Sequence, residues 1–162
     1  MPDFDKDIKL FPSAAIRIDK VGKGIQPRFA DRYWTHISPW LNARACTLAR
    51  QLIENGLPVD AAVAFDCSLI SAPFFELTPA EAATFCFEIR VNDNAVCTWS
   101  CEQLRLTIQQ AIAHISYNTT LKTGDIILLG FPGEGVAVSA GDELTICSPD
   151  NPNRIFNRFR IK

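Results

Sequence analysis

Cysteine and histidine are the side chains in this sequence whose spacing could hold a metal ion or supply a nucleophile. Cys97 and Cys101 are four residues apart, with Cys86 before them and His114 after them. A structural zinc site needs four such ligands, usually as two closely spaced pairs. Here there is one close pair, and it brackets Trp99 where a strand is predicted to give way to a helix. We interpret these thiols as buried core residues and keep zinc as the alternative.

A cysteine nucleophile would need a histidine beside it as a base. The sequence has two histidines, His36 and His114. Both fall on segments with helical periodicity, and neither has a spacing that pairs it with a thiol. We therefore expect two ordinary histidines on helices rather than a catalytic pair.

Two charged residues are further candidates for catalysis or binding. Glu134 lies between Gly133 and Gly135, so it could be an acid presented by a mobile loop, or it could belong to a turn between strands. Arg44 could bind the carboxylate of a ligand in a pocket, because guanidinium and carboxylate groups form paired hydrogen bonds. The alternative for Arg44 is a surface position on a helix.

The composition is typical of one globular domain that is not inserted in a membrane. The chain has 162 residues, of which 48% are hydrophobic and 21% charged, with a formal net charge of −2. No apolar run approaches the roughly 20 residues that a spanning helix needs, and no secretory signal opens the chain. Six cysteines without an export signal are expected to be thiols in a reducing cytoplasm. The near-neutral charge balance, without a cluster of Lys and Arg, argues against a nucleic-acid partner.

Hydrophobic periodicity predicts an α+β domain that is mostly β, with two or three helices. The predicted strands are residues 14–18, 85–91, 95–99, 126–129, 144–146 and 155–161. The predicted helices are residues 27–34, 39–55 and 100–117, with a further helical turn capped by Thr78. We expect residues 1–10 to form an arm outside the core.

Several motifs resemble the C-terminal part of the fumarylacetoacetate hydrolase family. The family pattern TLxxGDxIxTGTPxGVGxVxxGDxL is similar to residues 121–144, and its VVRIxKxGK pattern to residues 16–23. Its GLPWxxAKAFD and FAxRYY patterns are similar to residues 56–66 and 29–33. The resemblance implies a β-roll of packed mixed sheets, usually a homodimer. Residues 1–162 would then be a single domain that lacks the family's usual N-terminal segment.

The resemblance also implies a type of chemistry. Members of the family use Mg²⁺ or Mn²⁺ to hydrolyse C–C bonds of β-diketo acids, to isomerise 2-hydroxyhepta-2,4-diene-1,7-dioate, or to decarboxylate oxo-acids. Each reaction passes through an enolate, which the metal stabilises as a Lewis acid.

At the positions that correspond to the family's catalytic groups, this sequence has other residues. The two acids of the family's ExEL segment correspond to Phe11 and Ser13, and its Asp ligand corresponds to Trp40. Its Lys corresponds to Val63, and the second Thr of TGTP corresponds to Phe131. Four of these five residues are large or branched and apolar. Clustered carboxylates are costly to bury without a cation, whereas apolar side chains gain free energy on burial.

We therefore predict that these five residues form a vestigial pocket, with no metal or other cofactor. The chain would be catalytically inactive and would act as a structural or partner subunit, either as a homodimer or together with an active paralogue. The alternative is an enzyme of the family's hydrolase and isomerase type with a rebuilt site, in which Arg44 and Glu134 are the first candidate catalytic residues.

Overall fold

Two antiparallel β-sheets pack their apolar faces together around one core in this protein. The computed structural model describes residues 2–130 and 133–162. Its strands are β1 (Ile8–Ile18), β2 (Trp34–Ala45), β3 (Leu69–Ser71), β4 (Phe75–Glu76), β5 (Cys86–Val91), β6 (Asn94–Ser100), β7 (Ile126–Leu129), β8 (Val136–Ala137), β9 (Glu143–Cys147) and β10 (Ile155–Arg160). Its helices are α1 (Cys46–Glu54), α2 (Asp60–Val63), α3 (Pro79–Ala83) and α4 (Ile108–Asn118), and short 3₁₀ turns cover Pro27–Arg32 and Cys101–Gln103.

The first sheet is six-stranded and the second is four-stranded. The order β3-β2-β1-β7 forms the first sheet, with β4 also paired to β2 and β8 to β1. The second sheet has the order β10-β9-β5-β6. The predicted fold class, α+β and mostly β, is confirmed. Among the described residues, α1 and α4 are the helices longer than five residues.

The pair β1 and β2 is the longest ladder of the molecule and sets which side chains share a face. Leu10, Ile16, Ile37 and Leu41 are at most 1% exposed and point into the core. Because side chains alternate along a strand, the residues between them lie on the outer face of the sheet. The candidate site is on that outer face.

The predicted helix over residues 39–55 is wrong in its first half, where the chain forms β2. The apolar residues Leu41 and Ala45 fit a helical spacing, but here they alternate along a strand that pairs with β1 on one side and with β3 and β4 on the other. Helix α1 begins only at Cys46. Hydrogen bonds to neighbours distant in sequence outweigh the local helical pattern.

The start of α1 is capped from far away in the sequence. Ala45 offers no capping side chain, and the Leu48 N–H instead donates to Asp5 Oδ2 at 2.7 Å, across 43 residues. The expectation that residues 1–10 lie outside the core is therefore wrong. Asp5 is only 7% exposed, and β1 already begins at Ile8.

Two further helix boundaries differ from prediction. The predicted helix over 27–34 is a 3₁₀ turn that ends at Arg32, after which Trp34 enters β2. Helix α4 begins at Ile108, eight residues later than the predicted start at residue 100, at a capping box formed by Thr107 and Gln110. Ser100, the first residue of the predicted helix, caps only the short 3₁₀ turn that follows β6.

Other local predictions are confirmed. Thr78 and Glu81 form a reciprocal capping box at α3. Between the predicted strands 85–91 and 95–99, the hairpin of β5 and β6 turns at Asn92 and Asp93, whose φ angles of +49° and +64° are those of a tight turn that suits Asn and Asp. Both turn signals are local, so short stretches of sequence were enough to predict them.

The Gly-Asp pairs at 124–125 and 141–142 close two matching turns. In each turn the Asp carboxylate accepts the backbone N–H of the third residue before it, Lys122 at 2.7 Å and Ser139 at 2.8 Å. The glycine of each pair has a positive φ, +92° and +96° respectively. Positive φ is easily adopted by glycine, so this repeated motif has a structural role at the entries to β7 and β9.

Candidate functional site

The outer face of the six-stranded sheet brings together three of the five residues predicted to form a vestigial pocket. Phe11 and Ser13 are alternate residues of β1, so their side chains leave the sheet on the same side. Ser13 is the direct cross-strand partner of Trp40, and Phe11 is the partner of Asn42. We call this surface, made of Phe11, Ser13, Arg17, His36, Ser38, Trp40, Asn42 and Arg44, the site face.

The other two predicted pocket residues are not on the site face itself. Val63 ends α2 and is half-buried beside the sheet, where its carbonyl oxygen accepts a long hydrogen bond of 3.4 Å from Asn42 Nδ2. Phe131 lies outside the described residues. The vestigial role of all five residues stays a prediction.

Phe11 is covered on two sides. The Arg44 guanidinium lies 4.2 Å from the ring centroid of Phe11, within the range of a cation–π contact. Next to the ring is Gly135, where an added Cβ would come within 2.8 Å of Phe11 Cζ. Phe11 therefore packs against an arginine and a glycine backbone. Arg44 is itself one of the two candidate residues, and Gly135 directly follows the other, Glu134.

Trp40 is held by hydrogen bonding and by contact with a second aromatic ring. Its Nε1–H donates to Ser38 Oγ at 3.0 Å, and the buried Ser38 hydroxyl donates to the Ala72 carbonyl at 2.7 Å. The Trp40 ring also packs on Phe74 with centroids 5.9 Å apart. An indole N–H is a donor only, so this side chain cannot replace a carboxylate as a metal ligand.

The two candidate catalytic residues have different surroundings. Arg44 is an exposed residue of β2, not of a helix as its alternative assumed, and its guanidinium packs on Phe11. Glu134 is exposed and lines two surface grooves of about 680 and 370 Å³. It is the residue before Gly135, which places it at the edge of the site face near Phe11.

Sequence reasoning missed a polar network at the other end of the site face. Arg17 Nη2 donates to His36 Nδ1 at 3.0 Å, and the Arg17 guanidinium forms a 3.5 Å ion pair with Asp19. Asp19 in turn accepts the Thr35 hydroxyl at 2.7 Å. The prediction that His36 is on a helix is wrong, because it is in β2. Alternation along a correctly predicted strand would have placed His36 on the same face as Trp40, but its pairing with Arg17 depends on the register between β1 and β2.

The divalent ion that the resemblance implies does not fit the residues present. The positions that correspond to its ligands offer a phenyl ring, one hydroxyl and an indole, whereas Mg²⁺ and Mn²⁺ bind oxygen ligands, mainly carboxylates. Among residues 2–130 and 133–162, no group of three His, Cys, Asp or Glu side chains could hold a metal ion.

Five of the six thiols are poorly suited to nucleophilic catalysis. Burial raises the pKa of Cys101 to about 12, and the nearby Cys86 adds to the shift. Burial also raises the pKa of the thiols of Cys46, Cys86, Cys97 and Cys147. A thiol with a raised pKa holds its proton at neutral pH, whereas both zinc binding and nucleophilic attack need the thiolate.

The comparisons with known proteins agree with the architecture. Residues 15–153 match the family described as Fumarylacetoacetate (FAA) hydrolase C-terminal. The fold matches a protein assigned to the fumarylacetoacetate hydrolase family from Yersinia pestis CO92 with a TM-score of 0.89 and 21% identity, over 100% of this chain and 73% of that chain. No curated protein matches the sequence. Within the part of the chain that the structure describes, no helix is long and apolar enough to cross a membrane.

Two enzymes are among the other similar structures. The fumarylpyruvate hydrolase from Pseudomonas aeruginosa, in complex with Mn²⁺ and pyruvate, has a TM-score of 0.82 and 19% identity, over 91% of this chain and 64% of that chain. The 5-carboxymethyl-2-hydroxymuconate delta-isomerase from Mycobacterium smegmatis has a TM-score of 0.79 and 20% identity, over 91% of this chain and 57% of that chain. At such identities the superpositions show a shared fold. Since the family pattern also covers most of the sequence, the chain belongs to the fumarylacetoacetate hydrolase family.

Proposed function

We propose that this chain is a non-catalytic member of its family that acts as a structural or partner subunit. The observation that carries the proposal is that Phe11, Ser13 and Trp40 share one face of the sheet, with Ser13 paired directly to Trp40. By the resemblance, these three residues are at the positions of the family's carboxylate ligands. None of the residues that form the site face is a carboxylate.

The packing of the site face supports the same proposal. Ser13 is buried, and Trp40 is fixed by its hydrogen bond to Ser38 and by its contact with Phe74. Rings packed in this way stabilise the sheet through burial of apolar surface. A cluster of carboxylates at the same positions would need a bound cation to offset their mutual repulsion and desolvation. The site face therefore has a structural role that does not depend on metal.

A metal-binding measurement tests the proposal directly. A ligand that binds only the folded state, added at one hundred times its Kd, stabilises that state by about 2.7 kcal/mol. We expect no shift in Tm when Mg²⁺ or Mn²⁺ is added to the wild-type chain. As a positive control, the triple variant Phe11→Glu, Ser13→Glu, Trp40→Asp should be less stable than wild type without metal and should be stabilised by Mn²⁺. Circular dichroism checks that the variant is folded before the comparison is made.

Activity assays test the alternative, a rebuilt active site. We expect acylpyruvate cleavage and oxaloacetate decarboxylation to stay at background with either metal. Turnover above background would contradict the proposal, and the variants Glu134→Gln and Arg44→Gln would then show whether these two residues carry it. The Pseudomonas enzyme that binds Mn²⁺ and pyruvate provides the active control.

The partner-subunit role has its own test. We propose a homodimer or a heterodimer with an active paralogue in the cytoplasm, a compartment that suits the six free thiols. Light scattering after size exclusion gives the oligomeric state, and purification of a tagged chain from its native cell shows whether a paralogue comes with it. A monomer that brings down no paralogue would contradict this role.

A further inference from the structure

A cluster of exposed cations lies beyond the end of β1. Residues 20–32 contain four basic residues and one acidic residue, a net charge of +3, whereas the whole chain carries −2. The other residues of the chain therefore carry −5 together. No run of basic residues marks the cluster in the sequence, because folding adds a member from residue 122. We call this surface the basic end; it is made of Lys20, Lys23, Arg28, Phe29, Arg32 and Lys122.

Backbone pairing brings the three lysines of the basic end together. Gly22 and Leu121 exchange two hydrogen bonds between N–H and carbonyl groups, at 3.0 and 2.8 Å. Lys20 and Lys23 belong to the loop around Gly22, and Lys122 directly follows Leu121. All three lysines are exposed, and none has an ion-pair partner among the described residues.

One aromatic ring brings the two arginines together. The Cζ atoms of Arg28 and Arg32 lie 4.7 and 5.0 Å from the ring centroid of Phe29, so they are within about 10 Å of each other. Neither arginine has an ion-pair partner in the part of the chain that the structure describes. Asp31, the acid nearest to them in sequence, accepts a hydrogen bond from the Gln109 side chain at 2.8 Å. Two like charges therefore share one exposed ring without a carboxylate between them.

Helix α4 sets the spacing between the arginines and the lysines. Gln109 contacts the turn that carries the arginines, and the Ser116 carbonyl accepts the Gly24 N–H of the lysine loop at 2.8 Å. These two helix positions are seven residues apart, which is a rise of about 10 Å. An extended chain covers about 10 Å in three residues. One short extended segment could therefore reach both groups of cations.

We propose that the basic end binds a short acidic segment of a partner protein, an inference that rests on the partner-subunit role proposed above. A carboxylate of the segment would meet Arg28 and Arg32, because guanidinium and carboxylate groups form paired hydrogen bonds. A second carboxylate, about three residues further along, would meet the lysines. The site face takes no part in this contact. Turnover in the activity assays would therefore contradict the non-catalytic role without changing peptide binding, and a failure of peptide binding would leave the non-catalytic role in place.

An acidic protein segment fits this surface better than a nucleic acid does. The −5 charge of the rest of the chain would repel a long polyanion, whereas a short segment contacts only the basic end. Single-stranded nucleic acids also bind by stacking bases on aromatic rings. The Phe29 ring is 37% exposed and already contacts two guanidiniums, so little of it is free for a base.

Fluorescence anisotropy with labelled peptides at low ionic strength tests the proposal. The main probe has two Glu-Glu pairs separated by one Ser, a second peptide keeps only one pair, and a third has Gln in place of every Glu. We expect the two-pair peptide to bind, the one-pair peptide to bind about tenfold more weakly, and the Gln peptide not to bind. No binding of the two-pair peptide, or equal binding of the first two peptides, would overturn the proposal. Tighter binding of a twelve-nucleotide oligouridylate would overturn it in favour of a nucleic-acid partner.

Matched double variants separate a specific contact from net charge. Arg28→Gln with Arg32→Gln should weaken binding of the two-pair peptide about tenfold. The control pair, Arg50→Gln with Arg154→Gln, removes the same charge from exposed positions on α1 and before β10, and should change the affinity less than about twofold. An equal loss in both pairs would overturn the proposal, because net charge alone would then explain the binding.

Phe29→Leu tests the arrangement of the arginines at constant charge. The substitution keeps an apolar side chain but removes the ring on which both guanidiniums pack. We expect about threefold weaker binding of the two-pair peptide, because each arginine is then less ordered. Circular dichroism checks the fold. Unchanged affinity in a folded variant would overturn the proposed arginine site.

Protection of lysines provides a readout that does not depend on variants. Saturating two-pair peptide should slow acetylation of Lys20, Lys23 and Lys122 about threefold, as measured by mass spectrometry after brief treatment with an acetylating ester. Lys6 and Lys162 are exposed lysines outside the basic end, and their acetylation should be unchanged. Equal protection of all five lysines would overturn the proposed location.

Discussion

The outer faces of the two sheets differ in the partners that their charged side chains contact. On the four-stranded sheet, charged side chains pair with one another across the strands. Arg90 reaches Glu88 at 3.2 Å, and Arg158 lies 3.6 Å from Glu143 and 3.7 Å from Asp93. These long side chains cover Thr145, which is only 3% exposed. On this solvated face, Arg90 and Arg158 each have a neighbour of opposite sign.

The site face of the six-stranded sheet has a different character. Its centre is aromatic, with Phe11, Trp40 and the adjacent Phe74, and its arginines contact rings. Exposed apolar residues flank it, namely Leu69, Ile126 and Leu128. A face with paired charges is stable in water alone, whereas half-buried rings flanked by exposed aliphatic side chains indicate contact with another molecule or the remains of a binding site. The contrast supports a changed function on the site face and an ordinary surface on the other sheet.

Among the substitutions that test this contrast, the largest loss of stability is expected at Gly135. The substitution Gly135→Ala adds a Cβ at φ +79°, only 2.8 Å from the Phe11 ring. Strain from the positive φ and the overlap with the ring should together destabilise the protein by about 2–4 kcal/mol. Urea unfolding measures this loss.

Gly24→Ala is the matched control for that substitution. Gly24 has a similar positive φ of +63°, but an added Cβ would meet nothing within 4 Å. We expect a loss of about 1 kcal/mol from the backbone alone. Equal losses at the two glycines would show that Phe11 does not pack on Gly135 in solution, which would remove a main support of the site-face geometry.

A smaller loss of stability is expected at Asp5 and Asp142, two aspartates whose carboxylates accept backbone N–H groups. Burial of the Asp5 carboxyl raises its pKa, but hydrogen bonds from Leu48, Asp7 and Thr47 outweigh burial, so its pKa is lowered from 3.8. Asp5→Ala should cost about 1–2 kcal/mol because α1 loses its cap. Since the folded pKa is below the unfolded value, this stability is present above pH 3.8 and is lost as the pH falls through the folded pKa.

Asp142, just before β9 of the four-stranded sheet, is the residue to compare with Asp5. Hydrogen bonds from the Asn92 side chain and the Ser139 backbone lower its pKa from 3.8. Its carboxylate is near the surface, so Asp142→Ala should destabilise the fold less than Asp5→Ala does. Chemical unfolding of both variants between pH 3 and pH 7 tests the order. A larger loss at Asp142 would contradict the view that Asp5 is the buried anchor.

The smallest losses of stability are expected for two arginines, one from each face. Arg90→Ala removes an ion pair with Glu88 and two hydrogen bonds to the Asp93 carbonyl, at a cost of about 1 kcal/mol. Arg44→Ala removes only the contact with Phe11, at about 0.5 kcal/mol. Added salt should reduce the cost at Arg90 more than at Arg44, because salt screens pairs of ions most strongly. Equal salt dependence at both positions would remove the distinction between the faces.

The sequence was sufficient for features that depend on neighbouring residues. The turn at Asn92, the capping box at Thr78 and the strand that begins near Ile126 all follow from local residue preferences, and the structure confirms them. Family motifs spread along the chain extended this local information to the fold class.

Residues in β2 show why the rest could not be predicted. Leu41, Ala45 and Leu48 have a helical spacing, yet the first two are in a strand and the third is in a helix. Only the pairing of β2 with β1 and β3 decides where the strand ends. The capping of α1 by Asp5 could not be predicted from local sequence either, since the donor and acceptor are 43 residues apart.

By itself, the sequence determined that this protein belongs among mostly-β domains of one family, and it predicts that Phe11, Ser13 and Trp40 stand at the family's ligand positions. The tertiary structure decided that these three residues share one face and that Arg44 packs on Phe11. The reason is physical. Residue type and local spacing are properties of the chain, whereas a shared face depends on strand register, which hydrogen bonds between distant segments fix.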